Sequence, residues 1–355
     1  MRSQTLVAVV GALVLGWSMH QPNPQAAPGL SISSVSGTLS HGANITISGG
    51  GFGLKPAASP LKYDDFEGAT NGGMVGNIWD VIRNGSEPRY STVVRRTNST
   101  MSVRANFTNG AYGSNFGVSG QAMPRIYLDA WYYMDAGRPY SRNHKLFRIH
   151  SGTDGLPNLY YNIYCQEIGS SHLSQDGVGG NFHEWIGVAA DYFERRWVHL
   201  QGYFEESSPG MDNGTAEFWI DGQKQVNMVR TFRTRDSSSA SWDAIWFGNY
   251  FGHGSEGCAN SYGDAYTYWD NVYVDTTRAR VEVGDASTYS NARHREIQVP
   301  VTWSDDSISV RLNRGSFAGI SGLFLFVIDS AGNASAGFPL GGPAAPTGLN
   351  VRLGS

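Results

Sequence analysis

The chain has 355 residues and a formal net charge of −4 at pH 7, with 16% charged residues, 12% aromatic residues and 45 glycines. This composition is typical of a globular β-protein with ample core material, and it excludes a disordered or largely helical chain. No run of Lys and Arg suggests a phosphate-binding track, so nucleic acid is not an expected partner.

The first 27 residues have the pattern of an export signal. Arg2 precedes an apolar run from Leu6 to Trp17, and a polar, proline-bearing stretch continues to Ala27. The run is shorter than the roughly 20 apolar residues that a transmembrane helix needs. We therefore predict a protein that is secreted or held at the cell surface, without a membrane span once residues 1–27 are removed. An uncleaved anchor is the alternative.

Short segments near both ends of the chain alternate apolar and polar residues or run apolar, and they predict strands separated by glycine turns. They are Ser31–Val35, Asn44–Ser48, Ser307–Leu312 and Leu323–Ile328. Together these segments resemble one small immunoglobulin-like domain of the IPT/TIG family. The first pair, with its Gly51–Gly53 bend, resembles the opening half of that domain, and the second pair, with Trp303–Ile308, resembles its closing half. The resemblance implies a discontinuous domain of residues 30–60 and 279–340 that carries an insertion. Two unrelated β segments are the alternative.

The inserted stretch, residues 61–278, contains short strands at regular spacing and no convincing helical period, which is typical of a sandwich or jelly roll. The clear strands are Ile126–Met134, Lys145–His150, Asn158–Cys165, Trp197–Phe204, Ala216–Asp221, Ala244–Phe251 and Tyr266–Asp275. Tyr63–Glu67 and Tyr268–Asp275 resemble the first and last strands of concanavalin A-like and laminin-G-like domains. The predicted fold class is all-β: a large antiparallel jelly-roll sandwich plus a small discontinuous immunoglobulin-like sandwich. Residues 341–355 form a linker-like tail.

Two cysteines, Cys165 and Cys258, lie beside predicted loops. In an exported chain such a pair can close a disulfide, and two separate thiols are the alternative. No Cys/His spacing matches a zinc site, and no cofactor is predicted. Asp212, Asn213 and Asp270 are candidate ligands for a structural calcium ion.

Strand periodicity places aromatic and polar rows opposite the apolar faces of four strands. Two of the strands present Trp131, Tyr133, Trp197, His199, Gln201 and Tyr203, and the other two present His144, Arg148, His150, Trp246 and Tyr250. Such rings stack on sugars, and such donors bond hydroxyls and carboxylates. We therefore predict that both rows line one groove that binds a polysaccharide. An ordinary solvated outer face is the alternative.

Two short motifs resemble jelly-roll alginate lyases. Phe147–Asp154 is similar to their Gln-Ile-His strand, although Arg148 replaces the glutamine, and Phe247–Tyr250 is similar to a later strand that bears a tyrosine. The resemblance implies that His150 and Tyr250 are catalytic. Elimination across a uronic acid needs a cation for the carboxylate, a base and an acid, and Arg148, His150 and Tyr250 suit these roles in that order.

Cleavage of an acidic glycan by β-elimination is thus the leading hypothesis for the function. A non-catalytic carbohydrate-binding or adhesion module is the first alternative, and a protein-contacting surface sandwich is the second. A jelly-roll glycoside hydrolase is a further alternative, although no pair of carboxylates lies obviously on one of these strands.

Overall fold

The computed structural model describes residues 29–76, 78–83, 88–106, 114–135, 144–152, 156–163, 171–179, 182–251 and 266–341. Within these ranges the chain is built from antiparallel strands and one 3-10 turn at Ala190–Phe193. The strands are β1 (Ser31–Gly37), β2 (Asn44–Gly50), β3 (Lys62–Asp64), β4 (Val81–Arg83), β5 (Arg89–Ser91), β6 (Ser102–Asn106), β7 (Asn115–Ser119), β8 (Arg125–Met134), β9 (His144–His150), β10 (Asn158–Ile163), β11 (Ser171–Asp176), β12 (Phe182–Ile186), β13 (Trp197–Glu205), β14 (Gly214–Ile220), β15 (Gln223–Phe232), β16 (Ala244–Phe251), β17 (Tyr266–Asp275), β18 (Arg280–Gly284), β19 (Arg295–Trp303), β20 (Ser307–Arg311), β21 (Phe324–Ile328) and β22 (Phe338–Pro339). The predicted all-β fold class is confirmed.

Two large sheets pack face to face around the main core. The β8 sheet has the order β15-β14-β13-β8-β17-β6-β5, with β3 also paired to β17, and the β9 sheet has the order β12-β11-β10-β9-β16-β7-β4. The ring of Phe147 on β9 lies 5.9 Å from Phe204 on β13 and 5.8 Å from Phe218 on β14. These contacts join the inner faces of the two sheets into one sandwich.

The inner face of the β8 sheet follows the predicted alternation. Leu128, Ala130, Val198 and Leu200 are fully buried in the shared core, and β8 and β13 pair with Leu200 opposite Ala130. Burial of each large apolar side chain contributes about 1.5–3 kcal/mol, so this period-two pattern fixes which face turns inward.

Strands from both ends of the chain form a third sheet, the terminal sheet, with the order β1-β2-β20-β19-β18-β21-β22. Strand β2 pairs antiparallel with β20, from Asn44 opposite Arg311 to Ser48 opposite Ser307. A register irregularity between Pro300 and Thr302 interrupts β19. A second core lies against this sheet and includes Ile45, Ile47, Val281, Val310 and Val327. The two ends of the sequence therefore share a sheet and a core.

The outer face of the β8 sheet packs against the terminal sheet through a charged cluster. Glu282 on β18 accepts a bond of 2.5 Å from Arg280 Nε and pairs with Arg295 Nε at 2.9 Å. Arg295 also donates to Gln201 on β13. Burial raises the pKa of Glu282, but the two guanidinium groups outweigh it and lower that pKa to about 2. The cluster therefore stays ionised at neutral pH.

Several predictions concern segments outside the described residues. They are the export signal at 1–27, all of the tail 341–355 except its first residue, and the cysteine pair Cys165 and Cys258. No helix in the described part of the chain is long and apolar enough to cross a membrane.

Candidate functional site

The aromatic and polar row predicted on β8 and β13 is not a groove. Trp131, His199, Gln201 and Tyr203 are 8%, 1%, 1% and 5% exposed, because the terminal sheet covers this face. Asp129 on β8 accepts bonds of 2.8 Å from both His199 and Gln201. The prediction that these side chains line one groove with His150 is therefore wrong, since they lie on the other sheet and bond within the protein.

Trp131 shows most clearly how this face is used. The His199 ring stacks on it at 4.7 Å with a 10° interplanar angle, and the Arg96 guanidinium lies 3.9 Å from its centroid. The His294 ring approaches its edge at 5.3 Å. Protein groups thus occupy the surface of the indole on which a sugar would stack.

Tyr133 and Trp197 lie further along the same face and remain half-buried. Their rings are 5.5 Å apart, and Tyr133 also contacts Tyr268 at 5.9 Å. They belong to the β8 sheet and not to the sheet that carries His150. A role of these two rings in glycan binding stays a prediction.

The outer side of the β9 sheet carries a different set of polar residues, here called the polar face. Directly opposed residues on neighbouring antiparallel strands point to the same face, and the strand registers define three such rows. The first row contains Ala244, His150, Asn158 and Asp176; the second contains Trp246, Arg148, Tyr160, Ser174 and His183; the third contains Tyr250, Lys145, Asn162 and His172. Arg148 lies in the middle row, between a row with His150 and a row with Lys145.

The third row concentrates groups that bind and move protons. Lys145 Nζ lies 3.6 Å from the centroid of the Tyr160 ring and 4.0 Å from Asp176 Oδ2. The Asn162 amide nitrogen and His172 Nε2 are 3.1 Å apart. Tyr250 is the strand partner of Lys145, although its side chain is outside what the structure describes.

Two side chains of this row have shifted proton affinities. Burial lowers the pKa of Lys145 to about 8, with Asp176 opposing the shift and Arg148 adding to it. Burial, His183 and Lys145 together lower the pKa of His172 to about 4. A lysine with a pKa near 8 exchanges a proton close to neutral pH, as a catalytic base must.

A register irregularity in β9 decides which side chains reach the polar face. Tyr161 is opposite Phe147, but its neighbour Asn162 is opposite Lys145, so Leu146 is the extra residue. Strict alternation placed His144 on the polar row, and that prediction is wrong. His144 Nε2 instead lies 2.6 Å from the Tyr132 hydroxyl inside the sandwich. Lys145, which alternation had assigned to the apolar side, takes its place on the polar face.

On β16 the register shifts at the same level, between Phe247 and Tyr250. Gly248 has a φ of +69° there, and a Cβ at this position would lie 3.3 Å from the Ala105 Cβ. Only glycine adopts this conformation readily. The successive apolar residues Leu146 and Phe147, together with this glycine, are the sequence signals that reveal such a bulge.

His150 lies on the polar face but is fully buried, with its ring edge-on to Trp246 at 4.3 Å. Burial and the neighbouring Arg148 lower the pKa of His150 to about 4, so the imidazole is neutral at pH 7. The strand partner of Tyr250 is Lys145, five positions from His150. At about 3.3 Å per residue, roughly 15 Å separates the positions of His150 and Tyr250. Both residues lie on the β9 sheet, and a shared role of His150 and Tyr250 in catalysis stays a prediction.

The candidate calcium ligands each have protein partners. Asp212 pairs with Arg233 at 2.8 Å, Asn213 Oδ1 accepts from the Ser208 amide at 2.7 Å, and Asp270 Oδ1 accepts from Asn271 at 3.0 Å. Within the described ranges, no group of three or more His, Cys, Asp or Glu side chains is arranged to hold a metal ion.

Neither a protein-family model nor a curated protein sequence matches this chain. Among solved structures, a mutant of alginate lyase Aly36B bound to an alginate trisaccharide shares 16% identity over 49% of this chain and 81% of that one, with a TM-score of 0.40. The endo-β-1,4-glucuronan lyase of the fungus Trichoderma reesei shares 15% over 62% and 96%, with a TM-score of 0.41. A β-glucanase of Bacillus licheniformis shares 13% over 62% and 99%, with a TM-score of 0.38.

These jelly-roll neighbours thus include polysaccharide lyases and a glucanase. Fold does not determine chemistry, and likenesses this weak assign no activity to the chain. None of the three comparisons supports the resemblance of the terminal strands to the IPT/TIG family, which stays a prediction.

Proposed function

We propose that this is an exported polysaccharide-active protein that cleaves an acidic glycan by β-elimination on the polar face. The observation that carries the proposal is the placement of Arg148 beside the row of Lys145, Asn162 and His172 on one face of the β9 sheet. On this face two half-buried cations, Arg148 and Lys145, lie beside buried amide, imidazole and phenol groups, and guanidinium and ammonium groups bond carboxylates strongly. The face suits a chain of uronic acids better than a neutral glycan.

Elimination proceeds through three linked events. Binding of the uronate carboxylate by a cation makes the proton on the adjacent carbon removable, and Arg148 supplies that cation. A base takes the proton, a carbon–carbon double bond forms, and the bond to the departing glycosidic oxygen breaks. An acid then protonates that oxygen.

We assign the base to Lys145, because its pKa of about 8 leaves a useful fraction uncharged near neutral pH. Tyr250 is the candidate acid, since its position on β16 is opposite Lys145. His150 has no exposed surface, and we assign it the positioning of Trp246 and Arg148. This assignment differs from the sequence prediction, in which His150 was the base.

Absorbance near 235 nm during incubation with a panel of polyuronates tests the proposal. We expect absorbance to grow with at least one polyuronate, because only elimination creates an unsaturated uronate. New reducing ends without this absorbance would identify a hydrolase and overturn the proposal. Retention on a polyuronate column without any cleavage would also overturn it and would favour a carbohydrate-binding module.

The pH profile of cleavage distinguishes the two candidate bases. A base acts in its unprotonated form, so kcat/KM should rise about tenfold per pH unit below pH 8 and level off above it, as Lys145 loses its proton. Initial rates between pH 5 and pH 10 measure this. Full activity already at pH 5, with a fall only near pH 4, would instead assign the base to His150, whose pKa is about 4.

A further inference from the structure

A cavity, here called the junction pocket, lies where β13 and β14 meet the terminal sheet. Its volume is about 300 Å³, which is at the lower end of the range for small-molecule sites. Its lining contains five cationic side chains and one carboxylate: Lys224, Arg278, Arg280, Arg293, Arg295 and Glu217. The pocket is on the β8 side of the sandwich, whereas the polar face is on the β9 sheet.

The positive charge of the junction pocket exceeds what its carboxylates neutralise. Glu217 pairs with Lys224 at 2.6 Å and with Arg278 at 2.5 Å. The buried Glu282 behind the pocket is shared by Arg280 and Arg295. Two carboxylates therefore pair with four of the five cations, and a concave site with this imbalance of charge attracts anions.

Of the four arginines that line the pocket, two bond to buried groups of the protein and two can bond to a ligand. Arg280 donates to the Arg278 carbonyl at 2.8 Å and to the Tyr289 hydroxyl at 2.7 Å, and Arg295 donates to the Ala292 carbonyl at 2.7 Å. Arg293 is exposed and makes no ion pair with any described residue. The Glu217 carboxylate is shared between Arg278 and Lys224, so Arg278 also keeps N–H donors for a ligand.

The pocket also presents aromatic surface and a glycine that makes room for a cation. Trp219 is half-buried in the lining, with Lys224 Nζ 4.9 Å from its centroid, and Arg278 lies 3.8 Å from the centroid of Tyr203. Gly332 has a φ of +92°, and a Cβ there would come within 2.8 Å of Arg278 Nη1. A side chain at this position would therefore force the Arg278 guanidinium to move.

We propose that the junction pocket is a second, non-catalytic site for an acidic sugar unit. Arg278 and Arg293 bind its carboxylate or sulfate group, and Trp219 contacts its ring. Guanidinium groups match planar oxyanions, and an indole beside them adds the apolar contact that a bare inorganic anion does not use. The inference rests on the pocket alone and does not require that the polar face catalyses elimination.

Calorimetric titration of the full chain tests this site, in an Arg148→Gln background that weakens binding at the polar face. The probes are a hexuronate tetrasaccharide, a sulfated disaccharide and inorganic sulfate. We expect saturable binding of at least one saccharide, weakened by about tenfold or more in an Arg278→Gln/Arg293→Gln double variant, because two charge-assisted contacts are lost. The matched control is Arg125→Gln/Arg233→Gln, which removes two arginines that pair with Glu205 and Asp212 outside the pocket.

Equal binding by the pocket variant and the control would overturn the inference, as would the absence of any saccharide binding in the Arg148→Gln background. Sulfate that binds as tightly as the saccharides would overturn the role of Trp219. Circular dichroism melting of both double variants establishes that they are folded. Failure here is distinct from failure of the proposed function, which would appear as no absorbance change near 235 nm with the unaltered protein.

Discussion

Replacing Lys145 with methionine should reduce turnover of the polyuronate substrate by a factor of about 100 to 10,000, the usual range for loss of a general base. Methionine keeps an unbranched side chain of similar length but cannot accept a proton. Substrate binding should change much less, because Arg148 remains on the polar face. Initial rates at 235 nm measure turnover, and calorimetry of the variant with intact substrate measures binding.

Three further variants make the result specific to Lys145. Lys62→Met removes a lysine that pairs with Asp80 elsewhere, and it should leave the rate unchanged. Tyr250→Phe removes the candidate acid but keeps the ring, so turnover should fall about 100-fold with binding preserved. His150→Ala should have the smaller effect of lost packing against Trp246. An active Lys145→Met enzyme beside an inactive His150→Ala enzyme would return the role of base to His150.

Replacing Glu282 with glutamine should destabilise the protein by about 3–5 kcal/mol, because two buried guanidinium groups lose their shared counter-ion. Glu282 is 0% exposed and contacts Arg280 and Arg295 at once. Glutamine preserves the size of the side chain, so the loss reports charge and not packing. Urea unfolding followed by tryptophan fluorescence gives the midpoint and slope from which the change is derived.

The control for this variant is Glu205→Gln, which removes the carboxylate of a surface pair with Arg125. Exposed pairs contribute about 0–1 kcal/mol, so its midpoint should hardly move. Equal loss in the two variants would show that the buried cluster adds no more than a surface pair. The pKa of Glu282 lies below its ordinary value, so its stabilisation is present above about pH 4.5 and is lost as pH falls towards 2. Acid unfolding of the wild type should therefore show a component that Glu282→Gln lacks.

The sequence was sufficient to predict which side of β8 and β13 faces the core of the sandwich. In β8 and β13 the apolar period of two is uninterrupted, and Leu128, Ala130 and Leu200 lie in the core as expected. The opposite row was misinterpreted because Trp, His and Gln suit both a sugar and a buried hydrogen-bonded interface. Its partners, Glu282 and Arg295, lie 81 and 94 positions away from Gln201 in the chain. No local pattern indicates which surface a distant sheet will cover.

The candidate site was predicted in part. Arg148, His150 and Trp246 lie on the predicted polar face, whereas His144 and Lys145 exchange sides because one extra residue enters β9. A single bulge reverses the assignments on one side of it, and here those are the two residues that precede Leu146. Strict alternation overlooked the one local signal of the extra residue, the successive apolar pair Leu146 and Phe147. The position of Asn162 and His172 beside Lys145 also follows from this register, which the sequence does not show.

Pairing between the two ends of the chain has a consequence for how the protein reaches its native state. Gly53 donates to Asp305, a residue 252 positions later, and Ile45 and Ile47 lie on a strand completed only by β20. Until almost the whole chain is available, β1 and β2 therefore have an unpaired edge and apolar side chains exposed to water. Contacts of such long range slow folding, and exposed edges favour aggregation. Productive folding of this protein should thus depend on keeping β1 and β2 unassociated with other chains until the final strands arrive.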